Sequence, residues 1–206
     1  MPRPRFQKLD ADRRETIMEA AAQIFADKGY EKASINQILK QAGLSKGVAY
    51  YYFEDKADLF ATTIEYYMAQ IDTTMRDQMT MLTRDNFWDV MLELYSQPLL
   101  QNLDAPYRFL VLKAATDIQQ GDPLFERIAP LLHQAFGWTM ELIDKGREFG
   151  LVRTDLPDDL LYRFIYAIDE VADNYLLEHL VDLTEDEIYT LQGHVVDSIR
   201  RLLSPW

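Results

Sequence analysis

The side chains that could carry chemistry in this chain lie close together, and they are hydroxyls, ammonium groups, an amide and tyrosine rings. Ser34, Asn36, Ser45, Lys46, Gly47, Tyr50, Tyr51 and Lys56 all fall in the stretch SINQILKQAGLSKGVAYYYFEDKADLF. Lys46 can reach a phosphate or the edge of a guanine, and the tyrosines offer faces for thymine methyls and hydroxyls for phosphate. Ser45 can cap a helix whose first backbone N–H groups then point at an anion. Gly47 removes a side chain where a helix must approach a groove closely. Ser34 and Asn36 can hold a phosphate and touch a base, and Lys56 can clamp the backbone. In that division of labour phosphate contacts position the protein, while Lys46, Tyr51 and Asn36 carry sequence information.

Catalytic chemistry finds no comparable grouping. The chain has no cysteine and three histidines. His133, His179 and His194 fall on separate expected helices without metal-ligand spacing. There is no G-x-S-x-G elbow, P-loop or glycine-rich dinucleotide turn. No catalytic residue, metal site or cofactor is expected.

The elements that must position the first group are helices. Apolar residues recur at helical spacing, and no strand-like alternation of useful length occurs. A helix is expected from Ala11 to Lys28, stopped by Gly29. A second opens at Ser34, where Ser34 and Gln37 have the spacing of a capping box. It ends at Gly43, which accepts the positive φ of a tight turn. A third runs from Ser45 to Tyr52 and a fourth from Asp55 to Met81. Two short capped helices meeting at Gly43, with Leu44 in the angle, form the layout of a helix-turn-helix. Tyr50, Tyr51 and Tyr52 are spread around the third helix at about 100° intervals, so they do not all face outward. Tyr52 and Phe53 are expected in the core. The prolines of Pro2-Arg3-Pro4-Arg5 should keep the N-terminal arm extended, as a disordered tail or as an arm entering a minor groove.

The run Ala42-Gly43-Leu44-Ser45-Lys46-Gly47-Val48-Ala49-Tyr50-Tyr51-Tyr52-Phe53, followed by Asp55-Lys56-Ala57-Asp58-Leu59-Phe60, resembles the signature of the tetracycline-repressor (TetR) family. So does the upstream segment Ala21 to Tyr30. The resemblance covers roughly residues 13 to 60. It departs at Leu39, where the family usually has a small alanine, and at Ala49, where a larger apolar residue is common. The resemblance implies an all-α homodimer with a DNA-binding head and a ligand-sensing body. It also implies repression of transcription, relieved when a small molecule binds.

The expected architecture is all-α, about nine helices in total. A three-helix helix-turn-helix head (1–55) precedes a larger helical body for ligand binding and dimerisation (56–206). Five body helices are expected at 86–103, 106–119, 123–148, 158–181 and 185–203, the last opened by a capping box of Thr184 and Glu187. On the final two helices, Phe164, Ile168, Tyr175, Leu191, Val195 and Ile199 suit a four-helix bundle across a two-fold axis, or else complete the internal core. Trp88, Phe109 and Trp138 are candidates to line a pocket between helices. Tyr162, Tyr166, Asp169 and Asp173 share one side of the penultimate helix. Facing inward, they would favour a cationic, aromatic ligand. Facing outward, they are a solvated acidic face.

Composition bounds the rest. The net charge is −13, yet residues 1–60 carry ten Lys/Arg against nine Asp/Glu, and the remainder carries eleven against twenty-five. Only the front segment can approach a polyanion without strong repulsion. No secretory signal and no apolar run of membrane-spanning length occurs, so a soluble, cytoplasmic protein is expected. The expected partners are a double-stranded DNA operator, a small-molecule effector and a second copy of the chain. A helical interaction module, or a ligand-binding protein without operator binding, is the alternative. It would account for the acidity and the apolar last helices but not for the capped turn.

Overall fold

A computed structural model describes residues 4–45, 48, 51–116, 118–180 and 182–205. Every regular element among them is an α-helix. In chain order these are α1 (Pro4–Gln7), α2 (Ala11–Lys32), α3 (Ile35–Gln41), α4 (Lys56–Thr80), α5 (Phe87–Leu100), α6 (Tyr107–Thr116), α7 (Phe125–Glu148), α8 (Asp158–His179) and α9 (Glu185–Leu203). Val48, Tyr51 and Tyr52, between α3 and α4, are also helical. The chain forms two compact units: residues 1–72 with 104–133, and residues 73–103 with 134–206.

In the first unit the Asp10 side chain caps α2 by accepting from the Arg13 N–H at 2.8 Å. Such a cap satisfies one of the donors that a helix start leaves orphaned. One face of α2 buries Ile17, Met18, Ala21 and Phe25. The stop expected at Gly29 appears as a break: Gly29 takes φ 68° and ψ 168°, and helical residues continue to Lys32. The break swings Tyr30 beside Phe60, ring centroids 5.2 Å apart, and Phe60 meets Phe25 at 4.8 Å. α2 packs along α6 and against α3. Leu39, larger than the family's usual alanine, is fully buried.

The N-terminal arm differs from the extended tail expected. Pro4–Gln7 is a helical turn, and Phe6 is 4% exposed. Its ring lies 4.9 Å from that of Phe53 and 6.2 Å from that of Tyr52. Proline is compatible with the start of a helix, where its missing N–H is not needed. Burial of one aromatic ring then outweighs the freedom of a short tail.

In the second unit α5 packs against α9, and α9 against α8. Leu99, Leu176 and Ile188 form a buried cluster, with Leu100, Leu103, Leu180, Leu183 and Leu191 against it. The Thr184–Glu187 capping box forms as expected. Gly146 of α7 faces Val152 and Phe87 so closely that a Cβ would stand 2.4 Å from Val152 Cγ2. The chain then turns at Gly150, φ 71°, with the Leu151 N–H bonded to the Gly146 carbonyl at 2.8 Å.

Candidate nucleic-acid interface and effector site

The turn between α3 and the following helical segment is closed by backbone bonds. The Leu44 N–H donates to the Leu39 carbonyl at 2.7 Å, and the Gly43 N–H to the Lys40 carbonyl at 3.1 Å. With Gly43 at φ 66° this is a Schellman termination, which satisfies the last carbonyls of α3. Arg13 of α2 donates from Nη2 to the Gly43 carbonyl at 3.3 Å and pins the turn. The chain resumes helical form through the Val48 N–H, bonded to the Ser45 carbonyl at 3.0 Å.

Ser45 and Asn36 are exposed and Ser34 is half-buried. Tyr51 is 46% exposed on this short helix, while Phe53, just past its end, is buried. Tyr52 is half-buried between them, its ring 5.2 Å from that of Tyr51. Lys46, Gly47 and Tyr50 lie outside the described residues.

Two expectations about this region are corrected. Ser34 is the N-cap of α3, but its side chain makes no capping bond. Gln37 does not reach back; its Oε1 accepts from Lys28 Nζ at 3.2 Å instead. A neutral amide is a weaker partner than the carboxylate that closes the box at Thr184, so a nearby ammonium takes it. Lys56 points back into the head. Its Nζ donates to the carbonyls of Tyr30 at 2.7 Å and Glu31 at 3.0 Å and stands 4.4 Å from the Tyr30 ring centroid. Carbonyls exposed by the break at Gly29 thus receive a cation where a phosphate clamp was expected.

Sequence spacing gave no sign of two further contacts in this unit. Arg127 of α7 grips Asp55, Nη1 to Oδ1 at 3.1 Å and Nη2 to Oδ2 at 2.9 Å. Asp55 also accepts from the Asp58 N–H at 2.7 Å, at the start of α4. Arg108 of α6 pairs with Glu19 of α2, and Tyr107 donates to the same carboxylate at 3.4 Å. These partners are 72 to 89 residues apart. Only charge type pointed to them, and many charges compete.

In the second unit α8 separates its apolar residues into two sets. Leu161, Ile165 and Leu176 are buried, whereas Phe164, Val171 and Tyr175 are exposed and Ile168 is half-buried. Val171, absent from the expected set, is 71% exposed in the middle of the helix. On α9 Ile199 is fully buried, Leu191 joins the leucine cluster, and Val195 is half-buried. Ile199 is therefore part of the core of the single chain and not of an outward face.

The other side of α8 carries the acid–tyrosine stripe. Asp169 hydrogen-bonds the Tyr95 hydroxyl of α5, and its Oδ1 is buried with no hydrogen-bond partner. Burial pushes the Asp169 carboxyl up to about 7, opposed by the Tyr95 hydrogen bond and aided by the Asp173 charge. Tyr95 is raised well above its ordinary value, first by burial and then by the charge of Asp169. Tyr162 meets Phe136 at 4.5 Å and Tyr166 at 6.2 Å. The stripe is thus mixed: Asp169 turns inward, and Tyr166 stays exposed. Trp138 lines a separate cleft of about 380 Å³ with Met75, Arg76, Met79, Thr80 and Glu141. Trp88 packs on Phe87, with Arg200 5.8 Å from its ring centroid. Phe109 belongs to the other compact unit.

An all-helical chain whose N-terminal segment carries a helix-turn-helix is, by architecture, of the class that reads nucleic acid with a helix. The model for bacterial regulatory proteins of the tetR family matches residues 17–63. The HTH-type transcriptional repressor AcnR of Corynebacterium diphtheriae is 25% identical over 191 residues, 87% of this chain and 93% of that one. The HTH-type transcriptional repressor Rv1474c of Mycobacterium tuberculosis is 26% identical over 195 residues, 93% and 95% of the two chains. The crystal structure of FadR from Bacillus subtilis in complex with stearoyl-CoA superposes with a TM-score of 0.74 at 17% identity, covering 90% of this chain and 96% of that one. In its N-terminal segment the chain is thus similar to the tetR family of regulatory proteins, and along most of its length to transcriptional repressors.

Proposed function

We propose that this regulator is a repressor that binds a palindromic operator as a homodimer and is released when a small molecule enters its body. In this reading residues 1–55 are the DNA-reading head and 56–206 the sensing and pairing body. Ser45, Lys46, Gly47, Tyr50 and Tyr51 enter the major groove, with Ser34 and Asn36 at its border. The observation that carries the reading is the outward Tyr51 on a helix that begins at an exposed Ser45 behind a Schellman turn. Lys56 braces the head from within. The full-length relatives AcnR and Rv1474c are both named repressors.

Pairing through α8 is supported by Phe164, Ile168, Val171 and Tyr175, which recur at helical spacing and remain at least partly uncovered in the single chain. A row of four apolar side chains left at least partly uncovered along one helix face, rather than any one of them alone, is what supports a partner there. With two-fold symmetry, the heads would meet half-sites about 10 base pairs apart, one turn of the duplex.

For the effector, the buried and unpartnered Oδ1 of Asp169 among Tyr95, Tyr162 and Tyr166 supports a cationic, aromatic molecule. FadR of Bacillus subtilis holds stearoyl-CoA, which is anionic; a carboxyl at Asp169 disfavours an anion at that point. Release requires that the effector bind the DNA-free form more tightly than the DNA-competent one.

Selection of duplexes from a random pool by the full-length protein tests the first part, with an inverted repeat the expected product. Failure to enrich any sequence defeats it. Val171→Arg should give a monomer by sedimentation and weaken binding to the selected duplex; a dimer of wild-type strength would remove α8 from the interface. Binding of tetraphenylphosphonium, measured by calorimetry, should fall in Asp169→Asn. Unchanged affinity excludes the cation reading.

A further inference from the structure

The geometry of the N-terminus points to a second contact element: we propose that α1 is a built part of the DNA-facing surface and that Arg5 supplies a phosphate contact beside Tyr51. This rests on the DNA-binding reading above and adds a residue outside the helix-turn-helix.

The anchor is Phe6. It lies close to the start of the chain, yet it is 4% exposed and its ring packs on Phe53 and Tyr52 at 4.9 and 6.2 Å. Those two residues directly follow Tyr51, Tyr52 in the short helix and Phe53 just past its end. Hydrogen bonds to its carbonyls hold the turn in place: the Leu9 N–H donates to the Phe6 carbonyl at 3.1 Å, and the Arg14 side chain donates from Nη1 to the Gln7 carbonyl at 3.4 Å. The turn is therefore registered on the reading helix and cannot slide independently of it.

Registration fixes Arg5. Its guanidinium lies 4.2 Å from the Tyr51 ring centroid, and both residues are exposed. A guanidinium stacked on an aromatic uses its flat face and keeps its in-plane N–H donors available. That suits bidentate binding of a phosphate. Stacking also removes much of the rotamer freedom that a surface arginine would lose on contact.

Charge adds a reason for the arrangement. The protein as a whole carries −13, and residues 1–60 hold only ten cations against nine acids. Lys56 is turned inward on two carbonyls, and Arg13 is engaged at the Gly43 carbonyl. With those two engaged on backbone carbonyls, an arginine already placed beside Tyr51 adds one counterion's worth of attraction for a polyanion.

The test uses the full-length protein and the duplex it selects from a random pool. Arg5→Gln should lower affinity about eightfold at 0.1 M salt, the value of one released counterion, and reduce the salt slope by about one. Its melting temperature should not change. Arg5→Lys should keep the wild-type slope, because the charge remains. Phe6→Ala should repeat the loss seen in Arg5→Gln, since the arginine is then no longer held. If Arg5→Gln binds with wild-type affinity and slope, the proposal is overturned while the regulator reading stands. If the wild-type protein selects no duplex at all, both fall, and the variants do not enter into it.

Discussion

Replacing Asp169 with asparagine should stabilise this protein, and by clearly more at pH 8 than at pH 5. The carboxyl lies between α8 and α5, bonded to the Tyr95 hydroxyl, with its value raised from 3.8 to about 7 chiefly by burial. A carboxyl raised in the folded state holds its proton more tightly there than in the unfolded chain. The native state then binds more protons than the unfolded one between about pH 4 and pH 7, and stability declines as pH rises through that window. Above about pH 7 the full cost of a buried charge is present. Each tenfold change in proton affinity corresponds to about 1.4 kcal/mol, which sets an upper bound near 4 kcal/mol. Water penetration and relaxation reduce this to roughly 2 kcal/mol. Asparagine keeps an acceptor for the Tyr95 hydroxyl and carries no charge. At about 2–4 °C per kcal/mol for a chain of this size, the melting temperature at pH 8 should rise by roughly 5 °C. Thermal unfolding of both proteins from pH 5 to pH 8 reads the effect directly. A difference between the proteins that does not change with pH would refute the buried-charge argument.

Gly146→Ala should cost about 2 kcal/mol or more by chemical denaturation, since its Cβ would overlap Val152 and crowd the Phe87 ring, 3.0 Å away. A stability equal to wild type would mean that the loop carrying Val152 can retreat freely. Lys56→Met should destabilise the head by roughly 2 kcal/mol, because two carbonyls lose a charged donor. The salt slope of DNA binding should be unaffected; a slope reduced by one would restore Lys56 as a phosphate contact.

The parts of the fold legible in the sequence are those governed by local bonds. The breaks at Gly29 and Gly43, the Thr184–Glu187 box and the extent of α9 follow from residues within five positions of one another. The outward Tyr51 and inward Phe53 follow from helical period and aromatic type. Where local preference was weak, distant groups decided. Lys28 claimed Gln37, and Tyr30 and Glu31 claimed Lys56.

By itself, then, the sequence determined the all-helical order and the presence of a capped turn, because backbone hydrogen bonding and apolar periodicity are written into neighbouring residues. Only the tertiary structure decided which side chains remain available to a partner. Phe6 holds the arm that the prolines alone would leave extended, Ile199 disappears into the core, Val171 stays outside, and Asp169 is turned inward to Tyr95. The direction of a side chain depends on what packs against its helix, and those neighbours come from segments far away in the chain.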